Sequence, residues 1–307
     1  MRVLFFGTPE FAVPSLAALV GEGFEVVAAV TRPDRPVGRH RSRLEAPPVK
    51  HAALAEEIPV LQPERPTDAA FLAAVRDLAP DVSVVVAYGH ILKPALLDLP
   101  RLGSVNVHAS LLPALRGAAP IERAILEGRT ETGVTIMRMD AGMDTGPILH
   151  QVTTPIAPDE TGGELRVRLA EMGALALVEA LTLLEAGGAS PKPQDDTAAT
   201  YAPKLTREEE RLDWRQPADV LARKVRAFDP APGAWAECRG TPLKLFGARV
   251  ADGAGMPGAV LQAGDAMRVA CADGAIEVAD VQPAGKARMT VRAFVNGRGI
   301  AAGDVLA

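Results

Sequence analysis

The sequence predicts an α/β fold, a mostly parallel sheet covered by helices, followed by a small C-terminal β-barrel. Three observations carry that reading. In the first half, short apolar runs alternate with helical stretches of about ten residues, the pattern of βαβ units. The stretch Gly187–Asp196 then breaks the pattern with Gly, Ser and Pro and no apolar period. After it, short strand-like runs are divided by glycines, as in small barrels.

Taken in order, Val3–Phe6 is a buried strand that ends at Gly7-Thr8-Pro9, and Phe11–Val20 follows with helical spacing of its apolar residues. Glu25–Thr31, Val82–Ala87 and Gly103–His108 are further strands, and Lys50–Glu57, Thr67–Leu78 and Ala118–Glu127 are helices between them. Thr132–Met139 and Ile148–Thr153 resume β character, and Gly163–Ala186 reads as one long amphipathic helix. Past the break come a helical piece near Ala218–Phe228 and the strands Pro242–Phe246, Gly258–Leu261, Met267–Ala270 and Ala275–Val281. The expected division is therefore 1–189 for the first domain, 190–206 for a linker and 207–307 for the barrel.

With 307 residues, 48% hydrophobic and 23% charged, the composition is that of a soluble globular protein. No apolar run approaches the roughly 20 residues that span a bilayer. Met1–Gly7 reads as a strand, without the apolar core and cleavage site of a signal peptide. Cys238 and Cys271 stand far apart with no C-x-x-C, which fits a reduced cytoplasmic protein. The net charge of −5 argues against a general nucleic-acid coat protein, yet Lys204–Ala307 carries 15 basic against 13 acidic residues. Thr31–Lys50 is a local basic stretch: Arg32, Arg35, Arg39, Arg41, Arg43 and Lys50 face only Asp34 and Glu45. Most such clusters are solvated loops, but this one is also where a phosphate-bearing substrate would be held.

The chemically loaded residues lie between Ser104 and Asp144. Asn106 and His108 sit two apart in an alternating strand and so share one face. The strand breaks into Ser110-Leu111-Leu112-Pro113, which puts the pair near its carboxyl end, where open α/β sheets bind ligands. A single strand histidine is more often a satisfied core residue. With Asn106 and a later carboxylate, Asp140 or Asp144, the set suits transfer of an acyl group to an amine. Spacing does not separate the two acids, since Asp also favours turns such as Asp140-Ala141-Gly142-Met143-Asp144; Asp144 is preferred. Leu111 and Leu112, with Tyr88-Gly89, would wall a cleft for a flat heteroaromatic ligand. Gly7-Thr8-Pro9 opens a helix without completing G-x-G-x-x-G, and the five histidines show no metal-ligand spacing, so neither a dinucleotide nor a metal is expected.

Asn106-x-His108, Ser110–Pro113, Arg116-Gly117-Ala118-Ala119-Pro120 and the Asp144 loop together resemble the signature of the 10-formyltetrahydrofolate-dependent formyltransferases. Gly7–Ala12, Arg32–Arg39, Val85–Gly89, Glu131–Met137, Tyr201–Leu205 and Asp213-Trp214 extend the resemblance over the whole chain. It implies a doubly wound, Rossmann-like catalytic domain with an OB-like barrel. It implies Asn106, His108 and Asp144 as catalytic residues and Ser110, Leu111, Leu112 and Pro113 at the folate. It also implies 10-formyltetrahydrofolate as formyl donor and methionyl-initiator tRNA as acceptor, reached by the basic loop through Arg35, Arg39, Arg41 and Arg43. A monomer without metal or membrane attachment is expected. Two rivals remain at this stage: a formyltransferase acting on a nucleotide-linked amino sugar, and a non-catalytic RNA-binding protein. The low aromatic content, 4%, counts against base stacking in the latter. Arg39→Ala is expected to raise KM for the charged tRNA and to flatten its salt dependence. Acceptor kinetics unchanged at low and high salt would remove that role.

Overall fold

Arg2–Gly7 (β1) is buried from Val3 onward because a parallel strand covered on both faces has no polar side to spare. The computed structural model describes residues 1–37 and 43–307. After β1 come α1 (Val13–Gly21), β2 (Glu25–Val30), a hairpin of β3 (Arg35–Val37) and β4 (Arg43–Glu45), and α2 (Pro48–Ala55). Then follow β5 (Val60–Leu61), α3 (Ala69–Leu78), β6 (Val82–Val86), α4 (Pro94–Leu97), β7 (Ser104–His108) and β8 (Arg116–Gly117). Next are α5 (Pro120–Leu126), β9 (Glu131–Arg138), β10 (Ile148–Pro155), α6 (Gly162–Glu185) and β11 (Tyr201–Ala202). The last part holds α7 (Ala218–Ala227), β12 (Trp235–Cys238), β13 (Thr241–Ala251), β14 (Val260–Ala263), β15 (Met267–Ala270), β16 (Ala275–Pro283), β17 (Met289–Thr290) and α8 (Val291–Asn296).

Seven strands form the main sheet in the order β10-β9-β7-β6-β1-β2-β5. From β1 the chain builds outward through β2 and β5, then returns to β6 and β7 on the other side of β1. Those contacts are parallel, while β9 runs antiparallel to β7. The reversal of direction beside β1 makes this a doubly wound sheet, whose crevice lies at the carboxyl ends of its strands. One face buries Leu4, Phe6, Val27, Val30, Phe71, Val75 and Tyr88. The Phe6 ring meets Phe71 and Tyr88 edge-on, with centroids 6.5 and 5.3 Å apart.

The chain divides into two compact units, Met1–Gly117 with Thr132–Thr154 and Arg166–Ala202, and Ala118–Glu131 with Pro155–Leu165 and Pro203–Ala307. Residues 190–202, whose composition reads as a linker, are packed into the first unit. Lys192 pairs with Ile148, and β11 pairs with β8 in parallel. An apolar period is missing there because the segment is held by polar groups instead.

In the second unit, β12-β13-β16-β15-β14 form an antiparallel sheet with β17 beside β16. The segment after α8 closes it. Val260 and Leu306 amides donate to the Asp304 and Gly258 carbonyls, both at 2.8 Å, while Glu237 and Ala307 exchange bonds of 2.7 and 2.9 Å. Both outer edges of the sheet are thus paired, which removes the exposed edges an open sheet would leave. Leu221 and Val225 of α7 are fully buried, and Arg123 of α5 is paired with Glu209 at 2.7 Å. The strand β12 and the closing segment escape the sequence pattern because each offers only a few residues of alternation. Leu306 is 1% exposed at the closure, so Leu306→Ala should lower unfolding free energy by about 2–5 kcal/mol in denaturant titration. An unchanged midpoint would mean that the closure contributes nothing to stability.

Candidate active site

Strand β7 places Asn106 and His108 opposite Met137 and Thr135 of β9, so these four occupy one face of the sheet. Asn106 is half-buried and His108 is 6% exposed. The His108 ring is held at both nitrogens. Its Nε2 donates to the Leu115 carbonyl at 2.9 Å, and its Nδ1 faces Asp144 Oδ2 at 3.7 Å. A carbonyl can only accept, so Nε2 carries the proton in the neutral ring. Nδ1 can then donate only when the ring is doubly protonated.

The loop that supplies the Leu115 carbonyl is itself tightly fixed. Ser110 Oγ donates to the Ala114 carbonyl at 2.6 Å, and Leu115 adopts a φ of 60°. Thr135 Oγ1, fully buried, donates to the Ser110 carbonyl (2.6 Å) and accepts from the Leu112 amide (3.1 Å) and Gln151 Nε2 (2.9 Å). Of the four residues expected at a folate, Ser110 and Leu112 are buried, while Leu111 and Pro113 are half-buried. Ser110 therefore serves the loop's own hydrogen bonding.

The two acids of the later loop take separate parts. Asp140 Oδ1 accepts from the Gly142 amide (2.9 Å) and Thr145 Oγ1 (2.7 Å), a local turn that uses its charge. Asp144, at φ 55°, accepts from the Gly117 amide at 2.8 Å and turns the same oxygen toward His108. The register sets Arg138 beside Val105, at the start of β7, so the loop has to double back to reach His108. Gly146 allows that return, since a Cβ there would lie 1.8 Å from the Arg138 carbonyl.

Beside this pair lies a cavity of about 260 Å³ lined by His90, Ile91, Leu92, Met137, Met139 and Asp140–Asp144. Ile91 is 82% and Met143 59% exposed, so the cavity offers apolar walls to a ligand. Burial first, then the charges of Arg32 and Arg35, hold His90 below the usual histidine value, which favours a neutral ring at the wall. Nothing in the spacing of His90, Ile91 and the three methionines marks a site in the sequence; the folded chain brings them together. Tyr88 differs from expectation. It is 1% exposed, meets Phe6 edge-on and His90 at a tilt, and is buried among core residues. Its ring lies in the core rather than in an open cleft wall; what it offers the crevice is a carbonyl that accepts from Thr8 Oγ1 at 2.9 Å. Gly89 follows at φ 84° and has Arg32 within 3.5 Å of where a Cβ would be.

The basic hairpin is anchored at its base. Lys50 Nζ donates to Asp34 (2.8 Å) and Gln62 (2.8 Å), and Gln62 Nε2 returns to Asp34 and the Arg32 carbonyl, each at 2.8 Å. The Lys50 hydrogen bond, aided by Gln62, holds the Asp34 carboxyl below its ordinary value. Arg35 is exposed and Arg43 is 77% exposed, while Arg39 and Arg41 lie outside the described residues. Among the described residues no group of three or more His, Cys, Asp or Glu side chains is placed to hold a metal ion. No described helix is long and apolar enough to cross a membrane.

Comparison with known proteins agrees with this layout. Residues 1–181 match the formyl transferase family model and residues 204–299 the formyl transferase C-terminal domain model. The chain is 50% identical over 305 residues to the methionyl-tRNA formyltransferase of Pelobacter propionicus, covering 99% of this chain and 95% of that protein. It is 51% identical over 310 residues to the same enzyme of Thiobacillus denitrificans, covering 100% and 99%. The crystal structure of HypX from Aquifex aeolicus in complex with tetrahydrofolic acid shares the fold at TM-score 0.68 and 22% identity, covering 97% of this chain and 47% of that one. The N-formyltransferase of Helicobacter canadensis, in complex with folinic acid and dTDP-3-aminofucose, superposes at TM-score 0.70 with 18% identity, over 92% and 99%.

The Tyr88 hydroxyl is buried with no hydrogen-bond partner among the described residues, and burial pushes its pKa up to about 12. Tyr88→Phe removes an unsatisfied group and should hold or raise the melting temperature while leaving folate affinity unchanged. A large loss of folate affinity in that variant would restore Tyr88 to the binding surface.

Proposed function

This chain belongs to the formyl transferase family, and we propose that it moves the formyl group of 10-formyltetrahydrofolate to the α-amine of methionyl-initiator tRNA. The donor is of folate type. The relatives of about 50% identity named above carry the acceptor assignment, since they match nearly end to end. The amino-sugar alternative is supported only at the level of fold, by a neighbour of 18% identity. One chain holds a complete pair of acid and base groups, so a monomer suffices, working in the cytoplasm where translation starts.

The observation that carries the mechanism is the approach of Asp144 to His108 beside an apolar cavity. The donor occupies that cavity with its formyl carbon toward the Asn106–His108 face. The amine nitrogen attacks that carbon, and the carbonyl oxygen becomes negative. Asn106 donates from its amide, and His108 from Nδ1 as imidazolium, to that oxygen. Asp144 accompanies the charged ring and takes the proton that leaves the amine, directly or through water. The C–N10 bond then breaks, N10 takes up the proton that Asp144 accepted, directly or through water, and formylmethionyl-tRNA departs. No covalent enzyme intermediate is needed: Ser110 is committed to the Ala114 carbonyl and has no base. Arg35, Arg39, Arg41 and Arg43 meet the acceptor stem, and Lys50 and Asp34 brace the base of the strand pair that carries Arg35 and Arg43. We assign the unit of Met1–Gly117, Thr132–Thr154 and Arg166–Ala202 to catalysis and the unit that ends in Pro203–Ala307 to tRNA contact.

Asn106→Ala, His108→Ala and Asp144→Asn should each lower single-turnover formylation by about 10²–10³-fold, or roughly 2.7–4 kcal/mol of barrier for a lost oxyanion donor. Rates within a few-fold of the parent in all three would remove the site assignment.

A further inference from the structure

Both His108 and Asp144 are tied to the same short stretch of chain, Asp144 directly and His108 through Leu115. The Gln194 carboxamide nitrogen donates to the carbonyls of Asp144 (2.8 Å) and Gly146 (2.7 Å). Its oxygen accepts from Arg116 Nε (3.1 Å) and Nη2 (2.8 Å), and Arg116 Nη2 also reaches Asp196 at 2.7 Å. Arg116 is 2% exposed, so this buried cation is held by the stretch that grips the loop. Six residues on, Thr200 Oγ1 accepts from the Leu115 amide at 2.9 Å, and the Leu115 carbonyl is the acceptor for His108 Nε2. The Arg116 amide donates to the Thr200 carbonyl at 2.9 Å, which locks the two strands together.

We propose that residues 194–200 form a strap over the site in which Gln194 and Thr200 are positioning residues for formyl transfer. Gln194 sets the Asp144 loop, and Thr200 sets the carbonyl that orients the His108 ring. The inference rests on the function proposed above. It goes beyond it by giving the stretch between the two matched family regions a task in the chemistry. Asp144 sits at a left-handed φ on a loop that doubles back, and Leu115 also has a positive φ, so neither would keep its place through local preference alone. Reacting groups displaced by about 1 Å can lose about 100-fold in rate.

The test uses the full chain with Gln194→Met, Gln194→Glu, Thr200→Val and Thr200→Ser, and with Lys192→Ala as an exposed control on the same stretch. Steady-state kcat, KM for both substrates and the pH profile of kcat are measured. The ¹⁵N imidazole signals of His108 are recorded on the substrate-free protein. Gln194→Met and Thr200→Val should lower kcat about 10–100-fold, leave KM for charged tRNA within about two-fold, and displace both the pH profile and the His108 signals. Thr200→Ser should restore both readouts, and Lys192→Ala should match the parent. Gln194→Glu keeps the acceptor for Arg116 but loses both donors, so it should remain folded and still lose kcat; it decides the matter if Gln194→Met does not fold. Folded variants with parental kcat and parental His108 signals overturn the proposal. So does a fall in kcat with the His108 signals and pH profile unmoved. A parent chain that does not formylate methionyl-tRNA would fail the proposed function, while the imidazole signals would still judge the strap.

Discussion

The hydrogen bond from His108 Nε2 to the Leu115 carbonyl fixes the chemistry available to the rest of the site. It consumes one ring nitrogen, sets the neutral tautomer and turns the other nitrogen toward Asp144. A general donor at Nδ1 then requires a charged ring, and a charged ring in a nearly buried position requires an anion. Asp144 is the carboxylate that faces this nitrogen, held in turn by the Gly117 amide. Much of the loop structure around β7 serves to keep one carbonyl and one carboxylate on either side of one imidazole.

The surrounding hydrogen bonds follow from that need. Ser110 and Thr135 stabilise the loop that offers the Leu115 carbonyl, and Asp140 closes the turn from which Asp144 returns. None of these groups is spare, which is why several polar residues beside the site do structural work instead of touching a ligand. The Tyr88 hydroxyl is one of the buried groups that lack a hydrogen-bond partner among the described residues. The Tyr88 ring supports the sheet under the crevice through Phe6, while its hydroxyl gains nothing in return.

The second unit solves a separate problem. A short antiparallel sheet with two open edges would invite pairing with other chains, and the segment around Leu306 occupies both edges at once. A helix-bearing cluster around α5 and α7 belongs to the same unit, although α5 comes from the first half of the sequence. Contiguity along the chain thus does not define the compact units.

The fold class was legible in the sequence, since buried parallel strands and barrel strands impose different periods on apolar residues, and the short runs at Val3–Phe6 and Val82–Ala87, rich in β-branched or aromatic residues and each followed closely by glycine, read as strands. The shared face of Asn106 and His108 was equally legible, because alternation in a strand is geometric. That Asp144 faces His108 while Asp140 closes a local turn is a matter of tertiary structure, since the two acids differ in what the folded loop brings near them and not in residue type. Tertiary structure also moved Tyr88 into the core, placed His90 and Ile91 at a cavity, and turned a linker-like stretch into a support bearing Gln194 and Thr200. Backbone carbonyls and polar contacts across dozens of residues leave no period in a sequence, so only the folded chain could reveal them.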